Sequence, residues 1–322
     1  MKRRRLRLAA ILAAALLAAA GAWAWWFFLA PRSVRLVDGN RLRAAVCQYD
    51  SRPDAWRWNR EQALRYAQEA ADNGAGLIVL PEYSFCTAHD TLTGLAFPKM
   101  RHAMKRFGPR LSRFCRRNRC FLVANFPREE PGGDPLDPDR RNRTLVYAPD
   151  GRVVGTYDKR NIAFLDSFGL VKAGPPPGEP FDLGFGRIGV MLCRDSSYPR
   201  QFKSYRDADL VVVQFAHITD WTSSTNDPAW LNNDMGTAHE DFPRIAQKLA
   251  RTLHRPALFA NKAGLEPEGA FTGGSCVVDE DGGILARAGF GGDVLYADFD
   301  LGSDGRILPS VSPVPWTPRP GR

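Results

Sequence analysis

Hydrophobic positions follow two different periods along the chain from residue 42 onward. Short apolar runs with β-branched members, bounded by Gly, Pro or polar residues, predict buried strands. Longer stretches with apolar residues every three or four positions predict amphipathic helices. The predicted strands are 42–48, 77–80, 120–124, 145–148, 153–157, 187–192, 210–215, 256–260, 275–279, 284–288 and 294–298, and the predicted helices are 55–71, 100–118 and 242–253. Because strands alternate with helices over much of the chain, the pattern predicts an α/β fold.

The segments between these elements predict turns and loops. Pro149-Asp150-Gly151 and the run at 280–283 have the composition of hairpin turns. Residues 127–141 are rich in Pro, Gly and charge, which predicts an exposed loop. A long polar loop after residue 215 holds Trp221 and Trp230, and Trp221 is a candidate substrate-binding side chain. Pro243 is expected in the first turn of the helix that follows.

The first 30 residues have a separate pattern. Residues 8–30 are 23 consecutive uncharged positions, ending near an aromatic cluster, and five Lys or Arg residues precede them. As a helix this run is about 35 Å long, which is enough to cross a bilayer core of ~30 Å. It predicts an uncleaved transmembrane helix with the body of the protein outside the cytoplasm. The alternative is a signal peptide cleaved at 22–24, which would leave a secreted or periplasmic protein.

The distribution of charge and the spacing of the cysteines argue against two functions, nucleic-acid binding and metal binding. The net charge is +9, but five positive charges precede residue 8 and the rest are scattered, so no nucleic-acid partner is expected. The six cysteines have no metal-binding spacing, and the five histidines do not cluster with them, so no metal site is predicted. The cysteine count gives little support for a disulfide framework.

Three predicted strands are each followed by a chemically useful side chain. Glu82 follows 77–80, Lys159 follows 153–157 and Cys193 follows 187–192. Each alone has an ordinary explanation: a solvated carboxylate, a surface lysine, a small buried side chain. However, a cysteine at a strand-to-helix turn lies close to unpaired backbone N–H groups, which favour a thiolate. Ligands of open α/β sheets also bind at the carboxyl ends of strands.

In this order and spacing, the chain resembles the carbon–nitrogen hydrolase (nitrilase) superfamily over about residues 40–300. The matching segments are 44–48, 73–82, Asn142, 150–159, 189–195 and 274–279. The resemblance implies a catalytic set of Glu82, Lys159 and Cys193 and a four-layer αββα sandwich. It also implies that the protein commonly pairs as a homodimer, and no cofactor is expected.

The chemistry of these side chains agrees with that implication. A free thiol has a pKa of about 8.5 and needs a base or a positive environment to act as a nucleophile. Glu82 would take the proton of Cys193 as the sulfur attacks an amide or nitrile carbon. Lys159 and the backbone N–H of Arg194 would stabilise the oxyanion, and a thioester acyl-enzyme would follow.

The sequence departs from the family in two places. Many members carry a further Glu shortly after the lysine, whereas this chain has Asp166. We expect Asp166 either to bond to the lysine or the substrate nitrogen, or to serve as a helix or turn cap. Members specific for nitriles usually carry Cys-Trp-Glu, and this chain has Cys193-Arg194-Asp195. The difference favours a small amide or carbamoyl substrate.

The sequence therefore predicts a membrane-anchored amidase with its catalytic domain outside the cytoplasm. Residues 1–30 are the anchor or signal segment, 31–40 a linker, 41–300 the hydrolase domain and 301–322 a proline-rich tail. One alternative is an N-acyltransferase that uses the same triad at the outer membrane face. The other is an anchored binding domain without activity.

Overall fold

The computed structural model describes residues 14–21, 33–130, 137–218, 228–267 and 269–314. Residues 14–21 form a helix, α1, and the rest of the apolar run at 8–30 lies outside the described residues. Within the described ranges, no helix combines the length and apolar character that crossing a bilayer requires. The predicted transmembrane helix is thus unsupported by the described structure.

Fifteen strands and five further helices are present in the described residues from position 33 onward. The strands are β1 (Arg41–Gln48), β2 (Leu77–Val79), β3 (Phe121–Glu129), β4 (Arg140–Tyr147), β5 (Val153–Asp158), β6 (Phe181–Asp182), β7 (Arg187–Leu192), β8 (Leu210–Gln214), β9 (Ala257–Ala260), β10 (Ala263–Glu266), β11 (Gly269–Thr272), β12 (Cys276–Val278), β13 (Ile284–Arg287), β14 (Asp293–Leu301) and β15 (Ile307–Pro313). The helices are α2 (Trp56–Asp72), α3 (Ala88–Leu92), α4 (Ala96–Asn118), α5 (Phe164–Phe168) and α6 (Pro228–Leu253), with 3₁₀ helices at Cys193–Ser197 and Pro199–Asp207.

Most strands belong to two sheets. The seven-stranded sheet has the order β15-β14-β1-β2-β3-β4-β5, and the six-stranded sheet has the order β13-β12-β9-β8-β7-β6. β1, β2 and β3 are parallel to one another, as are β7, β8 and β9. The predicted hairpins β4–β5 and β12–β13 are both present as antiparallel pairs. The remaining strands, β10 and β11, form a separate hairpin.

Successive side chains of a strand lie on opposite faces of the sheet, so the buried residues form two separate clusters. On β1, Ala44 and Val46 pack in the cluster that includes strands of both sheets, whereas Ala45 packs with α2 and α4. The six-stranded sheet carries α6 on its other side, where Phe242 and Leu249 join the first cluster. The order of layers is helix, sheet, sheet, helix, and the predicted α/β sandwich is confirmed.

Several elements differ from the sequence prediction. Helix α6 begins at Pro228, so Trp230 lies in a helix rather than in a loop, and Pro243 lies inside the helix rather than in its first turn. Helices α3 and α5 and the hairpin β10–β11 were not predicted, because each is too short for its periodicity to stand out. Residues 307–313, from the expected proline-rich tail, form β15 and pair with β14.

Parallel strands place their carboxyl ends at one edge of the sandwich. Glu82 follows β2, Cys193 follows β7, and Ala216 follows β8. The backbone N–H of Glu82 donates to the carbonyl of Phe215 at 3.2 Å, which joins the two sheets at this edge. The sequence-predicted side chains therefore meet at the carboxyl edge, where α/β sheets bind ligands.

Candidate active site

Glu82 has a buried carboxylate with a hydrogen-bond partner for each oxygen. Its Oε1 accepts from Lys159 Nζ at 2.9 Å and from Asn142 Nδ2 at 2.8 Å. Its Oε2 accepts from the backbone N–H of Ala216 at 3.0 Å. The side chain is 1% exposed. These partners fix the orientation of the carboxylate against both sheets.

Lys159 lies at the end of β5 with its ammonium between two carboxylates. Nζ is 2.9 Å from Glu82 Oε1 and 2.7 Å from Asp166 Oδ2, and the side chain is 2% exposed. Burial by itself would lower the pKa of the ammonium, but Asp166 and Glu82 together raise that pKa well above its ordinary value. Lys159 is therefore a permanent positive charge at the carboxyl edge.

Cys193 begins the 3₁₀ helix Cys193–Ser197 directly after β7. Its φ of 44° lies in the left-handed region, which non-glycine residues rarely adopt and which is concentrated at functional sites. Its side chain is partly exposed, whereas the other five cysteines are buried. Of the six cysteines, Cys193 is therefore the one that keeps part of its surface open to solvent.

The charges around Cys193 determine which group holds the proton. Burial raises the pKa of the Cys193 thiol, and Glu82 raises it further, while Lys159 lowers it. Burial also raises the pKa of Glu82, with Lys159 opposing this effect and Asp166 adding to it. The thiol therefore remains protonated before substrate binds, next to a carboxylate that is a stronger base than an ordinary Glu.

Asp166 makes both of the contacts that the sequence left open. Its Oδ2 accepts from the backbone N–H of Ala163 at 2.9 Å, which caps α5, and contacts Lys159 Nζ. Its Oδ1 accepts from the hydroxyl of Tyr83 at 2.6 Å and from Asn142 Nδ2 at 3.3 Å. Burial would raise the pKa of Asp166, but the ammonium of Lys159 and these bonds hold it below its ordinary value.

Asp195 joins the Cys193 turn to the end of β5, and sequence reasoning gave it no role. Its Oδ2 accepts from Tyr157 OH at 2.6 Å and from the backbone N–H of Leu192 at 3.1 Å. Its Oδ1 accepts from the backbone N–H and the side chain of Asn161 at 2.7 and 2.9 Å. The one sequence signal was its place in the 189–195 segment. Asn142 and Tyr83 were likewise assigned no role, although both bond to the cluster.

Two other residues were predicted to belong to the site, Arg194 and Trp221. Arg194 follows Cys193 in the 3₁₀ helix, so its backbone N–H lies in the first turn, where helical N–H groups have no partner within the helix. Its side chain is exposed and donates to Tyr198 OH at 3.3 Å. Trp221 lies outside the described residues.

The arrangement can perform nucleophilic acyl chemistry. It contains a protonated thiol that is partly open to solvent, beside a buried pair of a basic carboxylate and a fixed cation. A thiol beside a base can attack a carbonyl carbon, and a fixed cation can stabilise the negative charge that develops on the oxygen.

A family model, a relative in sequence and a solved structure give matches that agree with one another. The model of the family described as carbon-nitrogen hydrolase matches residues 43–306. Omega-amidase NIT2-B of Xenopus laevis is 26% identical over 256 residues, covering 76% of this chain and 83% of that protein. A carbon-nitrogen hydrolase from Helicobacter pylori G27 superimposes with a TM-score of 0.68 at 22% identity, covering 81% of this chain and 89% of that one.

A second solved structure has the same fold. It is a mutant of the amidase from Nesterenkonia sp. AN1, with the acetamide moiety of fluoroacetamide added covalently at the active-site cysteine. The TM-score is 0.63 at 21% identity, covering 82% of this chain and 92% of that one. At this identity the structural likeness establishes a shared fold.

Proposed function

The chain belongs to the carbon–nitrogen hydrolase family, and we propose that it hydrolyses an amide or carbamoyl group through a thioester on Cys193. One observation carries the proposal: the buried ammonium of Lys159 lies between Glu82 and Asp166, close enough to Cys193 to act on the pKa of its thiol. A surface lysine with these neighbours would be screened and would have no such effect.

In the first half-reaction, Glu82 takes the proton from Cys193 as the sulfur attacks the carbonyl carbon. The carbonyl oxygen becomes an oxyanion, which Lys159 Nζ and the backbone N–H of Arg194 stabilise. A preorganised donor of this kind contributes roughly 3–4 kcal/mol to the transition state. The intermediate collapses when the carbon–nitrogen bond breaks, and Glu82 gives its proton to the leaving nitrogen.

In the second half-reaction, water resolves the thioester. Glu82, now ionised again, takes a proton from the attacking water, and the hydroxyl oxygen forms a bond to the acyl carbon. The carbon–sulfur bond then breaks, and the proton returns from Glu82 to the Cys193 sulfur. The products are a carboxylic acid, or carbamic acid from a carbamoyl group, and the regenerated enzyme.

Asp166 supports this cycle without touching the reacting atoms. By holding Lys159 charged, it leaves Glu82 free to gain and lose a proton while the cation stays in place. Without it, Glu82 would be the only carboxylate bonded to Lys159, and their ion pair would oppose protonation of Glu82. Asp166 thus takes the place of the further Glu that many family members carry.

An amide or carbamoyl substrate is preferred over a nitrile for two reasons. The segment Cys193-Arg194-Asp195 lacks the Trp-Glu pair usual in nitrile-specific members. In addition, the Xenopus laevis relative is named an omega-amidase, and the Nesterenkonia amidase accepts a covalent acetamide at its cysteine.

We also propose that residues 1–30 hold the enzyme at a membrane, with the hydrolase domain outside the cytoplasm. The support is the run of 23 uncharged residues behind a block of basic residues.

The test is intact-mass detection of an acyl-enzyme. The protein is mixed with short alkyl amides, ω-amides of dicarboxylic acids and carbamoyl amino acids, then quenched in acid. We expect a mass increase equal to the acyl group, absent in Cys193→Ala, together with release of ammonia. Turnover by Cys193→Ala, or ammonia release by the wild type without a cysteine adduct in rapid-quench samples, would refute the mechanism. Transfer of the acyl group to an added amine in preference to water would favour the acyltransferase alternative.

A further inference from the structure

Positive charge is concentrated on one helix that the proposed reaction does not use. Helix α4 carries eight Lys or Arg residues and no Asp or Glu, while α2 beside it carries three of each sign. These two helices thus account for eight of the net nine positive charges of the chain. Since residues 1–7 contribute five more, the remainder of the chain is net negative.

The charges of α4 point away from the core. Phe107, Leu111 and Phe114 are buried against the seven-stranded sheet. The basic residues occupy the other side of the helix, and all but the half-buried Arg116 are exposed: Lys99, Arg101, Lys105, Arg106, Arg110, Arg113 and Arg117. We refer to these seven exposed residues, together with Arg57, Arg60 and Arg65 of α2, as the basic face.

Only part of the basic face is neutralised by the protein itself. Acidic partners contact Lys99, Arg101 and Arg110. Among the described residues, no acidic side chain forms an ion pair with Lys105, Arg106 or Arg113. Neighbouring positive charges without acidic partners repel each other, so an anionic partner would relieve that repulsion.

The groove between the two helices adds an aromatic component. It is lined by Trp56, Arg60, Lys99, His102 and Arg106. The Lys99 ammonium lies 5.7 Å from the centre of the Trp56 ring. Tryptophan beside Lys and Arg is typical of surfaces that lie at a membrane–water interface.

The chain enters the hydrolase domain beside the C-terminal ends of α2 and α4. Arg119, which follows α4, donates from Nε to the carbonyl of Ser33 at 3.2 Å and from a guanidinium nitrogen to Ser33 Oγ at 2.8 Å. Arg35 donates to the carbonyl of Ala71 in the last turn of α2 at 3.1 Å. The segment that we propose to be the membrane anchor thus joins the domain at the ends of α2 and α4.

We propose that the basic face rests on an anionic phospholipid surface. The argument combines its uncompensated charge, the tryptophan-lined groove and the entry of the N-terminal segment beside it. The electrostatic attraction acts within about 8 Å of the lipid headgroups at physiological salt, so the face must lie nearly against the membrane to be held. The role of the anchor in this arrangement rests on the membrane attachment proposed above. The attraction between the basic face and anionic lipid does not depend on that anchor.

The experiment is lysine footprinting of the full chain in lipid nanodiscs. Discs of phosphatidylcholine are compared with discs that contain phosphatidylglycerol, and exposed lysines are acetylated with a water-soluble ester. We expect acetylation of Lys99 and Lys105 to slow about threefold or more in the anionic discs and to recover in high salt. Lys203 and Lys248, which are exposed on the opposite side, should be unaffected.

Charge-reversal variants provide the matched control. Lys105→Glu, Arg106→Glu and Arg113→Glu together should abolish the protection of Lys99. The same charge change at Arg244, Lys248 and Arg251 on α6 should leave that protection intact. Circular dichroism and hydrolysis of a soluble amide establish that each variant is folded. Should the α4 variant fail to fold, raising salt on the wild type is the substitute test.

Three results would overturn the proposal. One is equal acetylation of Lys99 and Lys105 in both kinds of disc. Another is protection of Lys203 and Lys248 instead. The third is protection of the basic face by duplex DNA without protection by anionic discs, which would indicate a nucleic-acid partner. The readout needs no turnover, so failure of the amidase proposal would not affect it. A chain that does not enter zwitterionic discs would refute only the anchor.

Discussion

The backbone of Cys193 is held in a conformation that its side chain disfavours. A left-handed conformation costs a residue with a Cβ about 1–2 kcal/mol, and Cys193 adopts it at the turn between β7 and the 3₁₀ helix. Strain that the fold maintains at a nucleophile is typical of a turn that aims one side chain into a site. The strain is absent for glycine.

We therefore expect Cys193→Gly to be more stable than Cys193→Ala by about 1 kcal/mol, although both are inactive. Urea unfolding of the two variants measures the difference. Cys276, which is buried in β12 outside the left-handed region, provides the control. There the glycine variant should be the less stable of the two. Equal or lower stability of Cys193→Gly would contradict the strained turn.

For Asp166→Asn we expect kcat/KM to fall about tenfold or more. Asparagine can still cap α5, but it cannot balance the charge of Lys159. Steady-state kinetics on the best amide found is the measurement.

Asp90→Asn is the matched control for Asp166→Asn. Asp90 is a buried carboxylate that caps α3 through Thr87 and is not paired with a lysine among the described residues. Because asparagine can also cap α3, this variant should keep both its activity and most of its stability. Wild-type kcat/KM in Asp166→Asn would remove Asp166 from the proposed mechanism and leave it a helix cap.

The acid limb of the pH profile reports Glu82. Its pKa is raised above the ordinary 4.5, mainly by burial, and the proposed reaction needs its ionised form. We expect kcat/KM to rise with pH through a transition that lies above pH 4.5. A profile that stays flat down to pH 4.5 would show that Glu82 is not the base. Lys159 should not contribute within the physiological range, because its pKa is well above its ordinary value.

At the level of elements, β15 connects the two sheets. It pairs with β14 at the edge of the seven-stranded sheet, and the backbone N–H of Ile307 donates to the carbonyl of Phe185 at 2.8 Å. Phe185 lies between β6 and β7 of the other sheet. Ile307 is buried, and Arg306 forms an ion pair with Asp182.

Deleting residues 307–322 should therefore destabilise the domain by about 2 kcal/mol or more. The change removes the buried Ile307 side chain and exposes the edge of β14. Thermal unfolding and light scattering measure the stability and the aggregation expected of an unprotected edge. A deletion of 315–322 alone is the control and should behave like the wild type. Equal stability of the two deletions would show that β15 is dispensable.

At the level of the whole molecule, Ser33 and the candidate site lie at opposite ends of the strands. Ser33 contacts Arg119, which precedes β3, whereas Glu82 and Cys193 follow the carboxyl ends of β2 and β7. β1 alone has eight residues, so the two ends are separated by about 25 Å. A membrane anchor at residues 1–30 would leave the site accessible to water-soluble substrates.

We expect the protein to fractionate with membranes and to retain residues 1–30. Sodium carbonate extraction and sequencing of the mature N-terminus measure this. A variant with Leu12, Leu16 and Leu17 each changed to Arg provides the control, because three charges within the apolar run oppose insertion. A mature N-terminus at Trp25 in a soluble fraction would instead indicate a cleaved signal peptide.

The sequence by itself determined the α/β class, most strands of both sheets, the two hairpins and the three strand ends at Glu82, Lys159 and Cys193. These depend on local physics, since apolar period and turn composition act over a few neighbouring residues. Tertiary structure decided the rest. Glu82 and Lys159 are 77 positions apart, and only the packing of strands shows that their side chains touch. Asp166 could be a cap or a charge partner from its sequence, and the fold makes it both. The role of Asp195 and the place of β15 likewise depend on contacts between distant segments, which no local pattern encodes.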